Sequence, residues 1–297
     1  MQRLQFQTGQ REIAPIDLPA AVCFRVTRFC NASCAFCLAP PDGEHPDANT
    51  LTGRLDWLLT RGVRVIHFCG GEPTIHPALA QLIDYVHSRG GRTRLTTNGI
   101  VIPSQLISVL HRQRTDVKVS LHGDRQYHDK MVGREAFDAT TENIRRLIAT
   151  AVPASVQTTV VSGGEWVVEW VANFCNRSGV RRLNILPFIP RGSGYRRRAE
   201  FELTTAERQS LREMVRRQRK AFSGRVEIKW LDFNASLVPV VEADGSFLLE
   251  GATESADQMI CRIAPESVAA HDAESEKPNS LRLQLPRIWI GRSSHPR

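Results

Sequence analysis

Short apolar runs rich in β-branched residues recur through the first two thirds of the chain, beginning at residues 21, 63, 92, 117, 154 and 181. Each run predicts a strand that is buried on both faces of a sheet. Amphipathic segments of helical length lie between them, over residues 50–61, 77–89, 103–113, 136–150 and 165–178. This alternation predicts repeated βα units with a parallel sheet. Six units are too few to close an eight-stranded barrel, so the predicted fold class is α/β, a partial (β/α)6 barrel.

The pattern changes after residue 190 and predicts a small α+β extension. Residues 190–198 predict a loop, residues 204–222 a basic helix that starts with a capping signal, and residues 225–233 a strand. Residues 236–251 predict a hairpin that turns at Asp244 and Gly245. After Ala264 the sequence turns polar and loses its periodicity, which predicts a poorly packed tail.

These patterns divide the chain into four parts. We expect an N-terminal extension over residues 1–17 and the barrel core over residues 18–192. A basic helix with a strand and hairpin, over residues 193–263, would complete or cap the barrel, and residues 264–297 would form the polar tail.

The composition is that of an ordinary globular protein, with 297 residues, 41% hydrophobic and 24% charged. It excludes a disordered chain, a collagen-like fibre and a small scaffold held by disulfides. The sequence contains no apolar run of membrane-spanning length and no secretory signal pattern at its start, so we expect a cytoplasmic protein without a membrane partner. Residues 181–230 contain 14 Lys and Arg against 5 Asp and Glu, an excess that favours anionic partners such as phosphates and nucleotides.

Three of the seven cysteines lie within eight residues, in the loop after the first predicted strand. An odd number of cysteines in a reducing context argues against a disulfide framework. Cys30, Cys34 and Cys37 have the spacing CxxxCxxC and can converge on one metal site. Zinc would need a fourth ligand, and none lies at a fitting local spacing. Three thiolates on a [4Fe–4S] cluster would leave one iron open to another ligand.

This cysteine spacing resembles the signature of the radical S-adenosylmethionine (radical SAM) superfamily. Residues 70–73, Gly-Gly-Glu-Pro, follow the second predicted strand and are similar to the GGEP motif of that family. Residues 96–99, Thr-Thr-Asn-Gly, follow the third strand and resemble its TTNG motif. Residues 117–121 resemble its fourth-strand motif, with His122 and Gly123 in place of the usual acidic pair.

A further stretch narrows the resemblance to one branch of the superfamily. Residues 127–138 resemble the corresponding stretch of the branch that contains the molybdenum-cofactor GTP cyclase and the SPASM-type enzymes. The similarity covers about residues 18–192. The chain lacks the C-terminal cysteine clusters of those enzymes, so the resemblance implies a single cluster and argues against GTP cyclisation.

The resemblance implies which residues bind the two cofactors. Cys30, Cys34 and Cys37 are expected to hold a [4Fe–4S] cluster whose open iron binds S-adenosylmethionine. The glycines and the glutamate of the Gly-Gly-Glu-Pro motif are expected to hold the amino group of S-adenosylmethionine. The other residues named below are expected to contact its carboxylate, ribose or adenine. The expected S-adenosylmethionine contacts are Phe36, Gly70, Gly71, Glu72, Pro73, Thr97, Asn98, Ser120 and Leu186.

The implied chemistry requires a closed pocket and an electron source. The family reduces S-adenosylmethionine to methionine and a 5′-deoxyadenosyl radical, which removes hydrogen from a substrate carbon in a dry site. We expect a small-molecule substrate, anionic or phosphorylated, inside the partial barrel, and an electron donor such as flavodoxin or ferredoxin. Four residues are expected to contact the substrate: His122, Tyr127, Arg191 and Arg196.

The remaining four cysteines are too far apart in sequence to predict an auxiliary cluster. Cys23, Cys69 and Cys175 are expected to be small buried hydrophobic residues of the core. Cys261 lies beyond the predicted hairpin, where the chain could fold over the pocket. It is therefore a candidate hydrogen-atom donor to a substrate radical.

The sequence favours an enzyme that modifies a sugar, nucleoside or nucleotide-like molecule in a biosynthetic pathway. The reaction stays open among C–C bond formation, epimerisation, dehydration and rearrangement. The alternatives are a peptide-modifying radical SAM enzyme, an RNA-modifying radical SAM methyltransferase, and a cluster-binding scaffold with a partner-dependent role. Nucleic acid is the less favoured partner, because such methyltransferases need two catalytic cysteines and the chain offers only Cys261.

Overall fold

The computed structural model describes residues 18–233 and 237–263, and the structural statements below refer to these residues. The expected N-terminal extension over residues 1–17 and the expected tail over residues 264–297 lie outside the described residues.

In this part of the chain ten strands form one sheet, in the order β10-β9-β8-β1-β2-β3-β4-β5-β6-β7. Strands β1 to β7 are parallel, β8 is parallel to β1, and β9 and β10 are antiparallel to their neighbours. The strands are β1 (Ala21–Arg25), β2 (Val65–Cys69), β3 (Arg92–Thr97), β4 (Asp116–Ser120), β5 (Ala154–Val160), β6 (Arg182–Pro187), β7 (Glu227–Trp230), β8 (Val238–Val241), β9 (Ser246–Glu250) and β10 (Gln258–Arg262). The predicted α/β class with a parallel sheet is confirmed.

Helices follow the first six strands and cover the outside of the sheet. They are α1 (Ala48–Thr60), α2 (Leu79–Ser88), α3 (Ser104–Arg112), α4 (Arg125–Val132), α5 (Phe137–Ala149), α6 (Trp166–Arg177), α7 (Ser193–Arg196), α8 (Arg198–Phe201) and α9 (Thr205–Ala221). The predicted basic helix is α9, and its Thr204–Glu207 capping box is present. No helix among the described residues combines the length and apolar character needed to cross a membrane.

Four elements differ from the sequence prediction. Helix α4 was not predicted, because it is short and mostly polar; the Asp124 side chain caps its start and Gly133, in the left-handed conformation, ends it. Helices α7 and α8 replace part of the predicted loop. Strand β10 extends the predicted hairpin by pairing with β9.

The two faces of the sheet have different chemistry. Val22, Phe24, Ile66 and Phe68 face the helices and are fully buried, within a core that includes Leu51 of α1. Because side chains alternate along a strand, the intervening residues face the inside of the curled sheet. Those inward residues are mainly polar, so the prediction of strands buried on both faces by apolar residues was wrong for the inner face. Barrels of this type usually fill their interior with branched apolar side chains.

Contacts between distant elements show that the sheet curls into a partial barrel. The backbone N–H of Ser193, after β6, donates to the carbonyl of Cys37, after β1, at 2.8 Å. The guanidinium of Arg191 reaches Asp257, between β9 and β10, at 2.6 Å. Loops five strands apart therefore meet at one mouth.

A buried ion network holds together the seam of the barrel, where the chain after β6 meets β1, β9 and the residue before β10. Arg25, on the inner face of β1, pairs with Glu242 and, at 2.8 Å, with Glu250. Arg191 pairs with the same Glu250 at 3.1 Å and with Asp257 at 2.6 Å, and it is 8% exposed. The terminal nitrogens of Arg191 are thus held by two carboxylates. This placement favours a bracing role for Arg191 over the expected contact with substrate.

We expect Arg191→Met to lower the free energy of unfolding by about 3 kcal/mol at neutral pH, because it leaves Asp257 without its cation and Glu250 with Arg25 alone. Arg196→Met, at an exposed position on α7, is the matched control and should change it little. Urea unfolding followed by circular dichroism measures both. Equal losses in the two variants would contradict the bracing role.

The same pair predicts a pH dependence. Burial opposes ionisation of Asp257, but hydrogen bonds from Arg191 outweigh it and hold the pKa of Asp257 below its usual value. A depressed carboxyl pKa stabilises the fold at neutral pH, and this contribution is lost as the pH falls through the folded-state pKa. The stability difference between wild type and Arg191→Met should therefore shrink below about pH 4.

Candidate functional site

The loop that carries the three clustered cysteines follows β1 at the carboxyl end of the sheet and is clasped by the end of α4. The N–H groups of Ser33 and Ala35 donate to the carbonyls of Val132 and Met131 at 3.0 and 3.2 Å. The Arg134 guanidinium donates to the carbonyl of Asn31 at 2.6 Å. The end of α4 belongs to the stretch 127–138 that resembles the radical SAM superfamily. This end of the helix therefore fixes the shape of the cysteine loop.

Two glycines allow this close packing. A Cβ on Gly133 would lie 2.3 Å from the Ser33 hydroxyl oxygen, and Gly133 has φ +78°. A Cβ on Gly192 would lie 2.6 Å from the carbonyl oxygen of Cys37, and Gly192 has φ +59°. Both positions combine left-handed backbone with backbone-to-backbone contact, which only glycine tolerates without strain.

Cys30, Cys34 and Cys37 are half-buried and lie within electrostatic reach of one another. Burial raises the pKa of all three thiols; for Cys34, burial together with the neighbouring Cys37 and Cys30 raises the pKa to about 12. Thiols of raised pKa stay protonated at neutral pH and release their protons when they bind metal.

The donor set fits an iron–sulfur cluster by its chemistry, because such clusters are held by thiolates and each cysteine binds a different iron. Among the described residues, no group of three or more His, Cys, Asp or Glu side chains is arranged around a position for one metal ion.

The glycine pair after β2 packs against the chain that enters the cysteine loop. The N–H of Gly71 donates to the carbonyl of Thr27 at 2.8 Å, and the N–H of Glu72 donates to the carbonyl of Phe29 at 2.8 Å. A Cβ on Gly70 would lie 2.3 Å from the Thr27 carbonyl oxygen, and one on Gly71 would lie 2.0 Å from that of Phe29. The structure therefore gives these glycines a packing role that the sequence did not suggest.

Glu72, which is 1% exposed, joins the loops after β2 and β3 through its buried carboxylate. One oxygen accepts from the Thr74 N–H at 3.0 Å, the Thr74 hydroxyl at 2.7 Å and the Thr97 hydroxyl at 2.6 Å. The other accepts from the N–H of Asn98 at 2.7 Å. Burial raises the pKa of Glu72, although these hydrogen bonds act against it. The Glu72 and Thr97 side chains are engaged with the protein itself, which favours an indirect role over the expected direct contact with S-adenosylmethionine.

Asn98 carries this connection to the cysteines. Its side-chain amide donates to Oδ1 of Asn31, the residue after Cys30, at 2.7 Å. Ser120 and Leu186 lie at the carboxyl ends of β4 and β6, and the buried Pro73 starts the turn after Glu72. The expected S-adenosylmethionine contacts thus lie around one mouth of the barrel.

An aromatic stack lies beneath the cysteine loop. The Phe36 ring packs edge-on against His122, with centroids 4.8 Å apart, and His122 stacks on His128 at 5.8 Å. The N–H of Thr159 donates to Nδ1 of His122 at 3.2 Å. Burial lowers the pKa of His122 to about 3 and that of His128 to about 4, so both rings are neutral.

Two polar atoms near this stack are buried without a hydrogen-bond partner among the described residues, the Tyr127 hydroxyl and Nε2 of His128. Buried polar atoms are normally satisfied, so these two point to a ligand that would complete them. Arg196 lies exposed at the end of α7, next to the segment that contacts Cys37.

Cys261 lies on the outer face of the sheet. Its register partner is Phe247, which pairs with Val241, which in turn pairs with Phe24, and Phe24 packs against the helices. Residues paired in register point to the same face, so the sheet separates Cys261 from the barrel interior. This contradicts the expected role of Cys261 as hydrogen-atom donor in the pocket.

The other cysteines divide between the two faces. Cys175 is fully buried in the outer core on α6, as expected. Cys23 and Cys69 lie instead on the inner face, and the Cys23 sulfur is 3.9 Å from Nδ1 of His67. Their neighbours are polar, so the prediction that these two are core hydrophobic residues was wrong.

Sequence reasoning missed several residues that shape the site, among them Gly133, Arg134 and Gly192. It also missed the inward-facing cations Arg94 and Lys118, although the signal was present. Both belong to strands in which polar and apolar residues alternate, and such alternation predicts one apolar and one polar face.

A family model described as Radical SAM superfamily matches residues 24–171. The PqqA peptide cyclase of Streptomyces rochei is 25% identical over 94% of this chain and 78% of its own length. The GTP 3',8-cyclase of Chlorobaculum tepidum is 31% identical over 42% of this chain and 40% of its own. The Fe-coproporphyrin III synthase of Methanosarcina barkeri is 32% identical over 48% of this chain and 38% of its own. The chain thus spans less than half the length of the latter two relatives.

Solved structures share the fold at low sequence identity. Streptococcus suis SuiB bound to S-adenosylmethionine superposes with a TM-score of 0.67 and 15% identity, over 78% of this chain and 60% of SuiB. The structure of anSMEcpe with bound AdoMet and Kp18Cys peptide superposes with a TM-score of 0.65 and 16% identity, over 77% and 73%.

Glu72→Gln should destabilise the joined loops, because a carboxamide offers one acceptor oxygen where four donors converge. We expect the free energy of unfolding to fall by about 3 kcal/mol and the cysteine loop to loosen. Glu135→Gln, an exposed change beside the same loop, should have little effect. Hydrogen exchange of residues 27–37 measures the loosening. Unchanged protection in Glu72→Gln would show that the carboxylate does not hold the loop.

Proposed function

We propose, from the premise that this chain belongs to the radical SAM superfamily of enzymes, that it acts on a small polar biosynthetic substrate held inside its partial barrel. The family uses a [4Fe–4S] cluster and S-adenosylmethionine. When bound, these cofactors supply the 5′-deoxyadenosyl radical that removes hydrogen from a substrate carbon. The protein's part is to hold them, to position the substrate and to exclude water.

Cys30, Cys34 and Cys37 would hold the cluster. Three thiols in one loop, clasped by α4 on one side and by the segment after β6 on the other, are the observation that supports this assignment. Glu72 and Asn98 would keep this loop in register with the loops after β2 and β3.

S-adenosylmethionine would lie across the mouth of the barrel. The backbone of Gly70 and Gly71, with Pro73 behind it, would face its amino group, and Ser120 its carboxylate or ribose. The ring of Phe36 and the backbone at Leu186 would contact its adenine. Glu72, Thr97 and Asn98 would act on S-adenosylmethionine indirectly, by fixing these loops.

The single observation that carries the choice of substrate is the polar lining of the barrel. Asn184, Ser155 and His67 are each less than 10% exposed and border one cavity. Each of these side chains makes a hydrogen bond within the protein, and a polar substrate would offer them and the neighbouring charged groups further partners that an apolar substrate lacks. A sugar, nucleoside or nucleotide-like molecule offers such partners.

Further assignments complete the proposal. The Tyr127 hydroxyl would hydrogen-bond the substrate or the ribose of S-adenosylmethionine, since it is buried without a partner among the described residues. Neutral His122 would support Phe36, and exposed Arg196 would lie at the rim near the substrate entrance. An electron carrier such as flavodoxin or ferredoxin would supply electrons. We place this chemistry in the cytoplasm, because free thiols persist in reducing compartments.

Peptide modification is the second candidate function. The similarity to the PqqA peptide cyclase extends over 94% of this chain, further than any small-molecule relative named above. A peptide would bind at the mouth and insert one side chain into the barrel. Both candidate functions therefore use the same lumen. They differ in whether part of the substrate also binds outside it, at the mouth of the barrel.

Substitution of any one cluster cysteine tests the cofactor assignment. Cys30→Ala, Cys34→Ala and Cys37→Ala should each lose the roughly 400 nm absorbance that thiolate-bound iron gives after anaerobic reconstitution. Wild type should bind about four irons per chain, the content of one cluster. Cys175→Ala, in the outer core, is the matched control and should keep the absorbance. Full iron occupancy in the three variants would refute the assignment.

Incubation of reconstituted wild-type protein with S-adenosylmethionine and dithionite tests the activity. We expect 5′-deoxyadenosine and methionine, detected by mass spectrometry, in wild type and in Cys175→Ala only. Candidate sugars and nucleotides, and separately candidate peptides, would then be added, and the one that accelerates cleavage identifies the substrate class. A cluster that binds S-adenosylmethionine and leaves it intact under all these conditions would favour the scaffold alternative.

A further inference from the structure

A cavity of about 110 Å³ lies within the barrel and is partly open to solvent, since the bordering side chains of Asp116, Arg182 and Lys229 are 36%, 38% and 34% exposed. Since one water needs roughly 10–15 Å³ of this kind of space, the cavity can hold several waters or one phosphate-sized group. It is bordered by side chains from strands β2 to β7 and by the residue that follows β7. They are His67, Arg94, Asp116, Lys118, Ser155, Arg182, Asn184, Lys229 and Leu231.

The cavity lies in the half of the barrel that is away from the cysteine loop. Asp116 and Arg182 are the first residues of β4 and β6, and Ser155 is the second residue of β5. Lys118 lies level with Ser155 in the sheet register, two residues before the carboxyl end of β4. At about 3.3 Å per residue, the cavity centre is roughly 7–10 Å below the mouth where S-adenosylmethionine would bind.

Cations outnumber carboxylates around this cavity. Arg182 pairs with Asp116 at 3.0 Å, and Lys229 pairs at 3.2 Å with Glu227, whose side chain is 59% exposed outside the cavity lining. Arg94 and Lys118 are cations on neighbouring strands. Among the residues that the structure describes, four cations against two carboxylates leave an excess of two positive charges here.

The surroundings of Lys118 disfavour its charged form. Burial lowers the pKa of Lys118, and the charge of Arg94 lowers it further, against the opposing effects of Cys23 and Asp116. An anion in the cavity would favour the charged ammonium and reduce this repulsion.

Neutral hydrogen-bonding groups complete the lining. Asn184 is 5% exposed and Ser155 is 3% exposed, and both present polar atoms in this buried space. His67, at 8% exposed, shares a 2.7 Å hydrogen bond with the Thr96 hydroxyl on the next strand. Polar side chains on rigid strands make a preformed site for a charged group.

We propose that this cavity is the subsite for the oxyanion end of the substrate, a phosphate or carboxylate group bound by Arg94, Lys118, Arg182 and Lys229. The inference rests on the proposed function only in taking the ligand to be the substrate. Arg94 supplies a planar donor pair suited to oxyanions, and Lys118 a point charge on the adjacent strand. This site replaces Arg191 as the anion ligand, since Arg191 is held in the seam.

The proposal also limits the shape of the substrate. Its anionic end would lie deep in the barrel and its reacting carbon at the mouth, so the two are roughly 7–10 Å apart. A phosphorylated sugar or nucleoside has this length. So does an acidic side chain that enters the barrel from a bound peptide.

Isothermal titration of pyrophosphate into the purified protein, in a buffer free of phosphate and without reconstitution, tests the subsite. We expect binding that weakens about tenfold in Arg94→Gln and in Lys118→Gln, the loss of one charge-assisted hydrogen bond each. Arg216→Gln removes the same charge from an exposed position on α9 and should weaken binding less than about twofold. Circular dichroism of each variant checks that the fold persists, and either lumen variant suffices if the other does not fold.

Several outcomes would overturn the proposal. The proposal would be wrong if wild type bound neither pyrophosphate nor citrate. It would also be wrong if Arg216→Gln weakened binding as much as the two lumen variants do, because that result would show an adventitious ion only. Citrate tests whether the site prefers carboxylates. Tighter binding of pyrophosphate than of citrate would assign the subsite to a phosphate group, and the reverse order would assign it to a carboxylate.

This test is independent of the proposed function. Pyrophosphate binding that depends on Arg94, in a protein that never forms 5′-deoxyadenosine, would keep the anion subsite and refute the enzyme. Formation of 5′-deoxyadenosine with no anion binding would keep the enzyme and refute the subsite.

Discussion

The buried carboxylate of Glu72 is the interaction on which the mouth of the barrel depends. A carboxylate removed from water is costly unless donors surround it, and here Thr74, Thr97 and Asn98 supply four. These donors come from two loops, and the Glu72 N–H binds a third at Phe29. One hydrogen-bonded network therefore joins the loops after β1, β2 and β3. The cysteine loop needs such support, because three thiols must keep one geometry while their own burial disfavours the charged form.

The partial barrel separates stability from binding by face. The outer face buries Val22, Phe24, Ile66 and Phe68 against helices, and this apolar burial is the main favourable term in folding. The inner face can then carry polar side chains, which contribute less to stability and provide a binding surface. The seam is the exception, since Arg25 and Arg191 use buried ion pairs to hold β1, β9 and the chain after β6 together. A broken pair there would open the lumen to water.

Local pattern was sufficient to predict the parallel sheet and the cysteine loop, because strand periodicity and CxxxCxxC spacing are encoded by neighbouring residues. It failed where the answer depends on distant partners. Asp257 lies 66 residues from Arg191, and Glu242 lies 217 residues from Arg25, so no local signal revealed the seam. The face of Cys261 depends on the register of three successive strand pairs. Helix α4 was missed because it lacks an apolar stripe, and its Asp124 cap and Gly133 were the available signals.

The two candidate functions make different demands on the same lumen. A small phosphorylated molecule must be held by its anionic end alone, so the cationic cavity would supply most of its orientation. A peptide gains affinity from backbone contacts at the mouth, and the lumen then needs to select only one side chain. An excess of two positive charges around 110 Å³ is more than one carboxylate requires and matches a phosphate dianion. Charge balance inside the barrel therefore favours the phosphorylated small molecule, even though overall sequence similarity extends furthest toward a peptide cyclase.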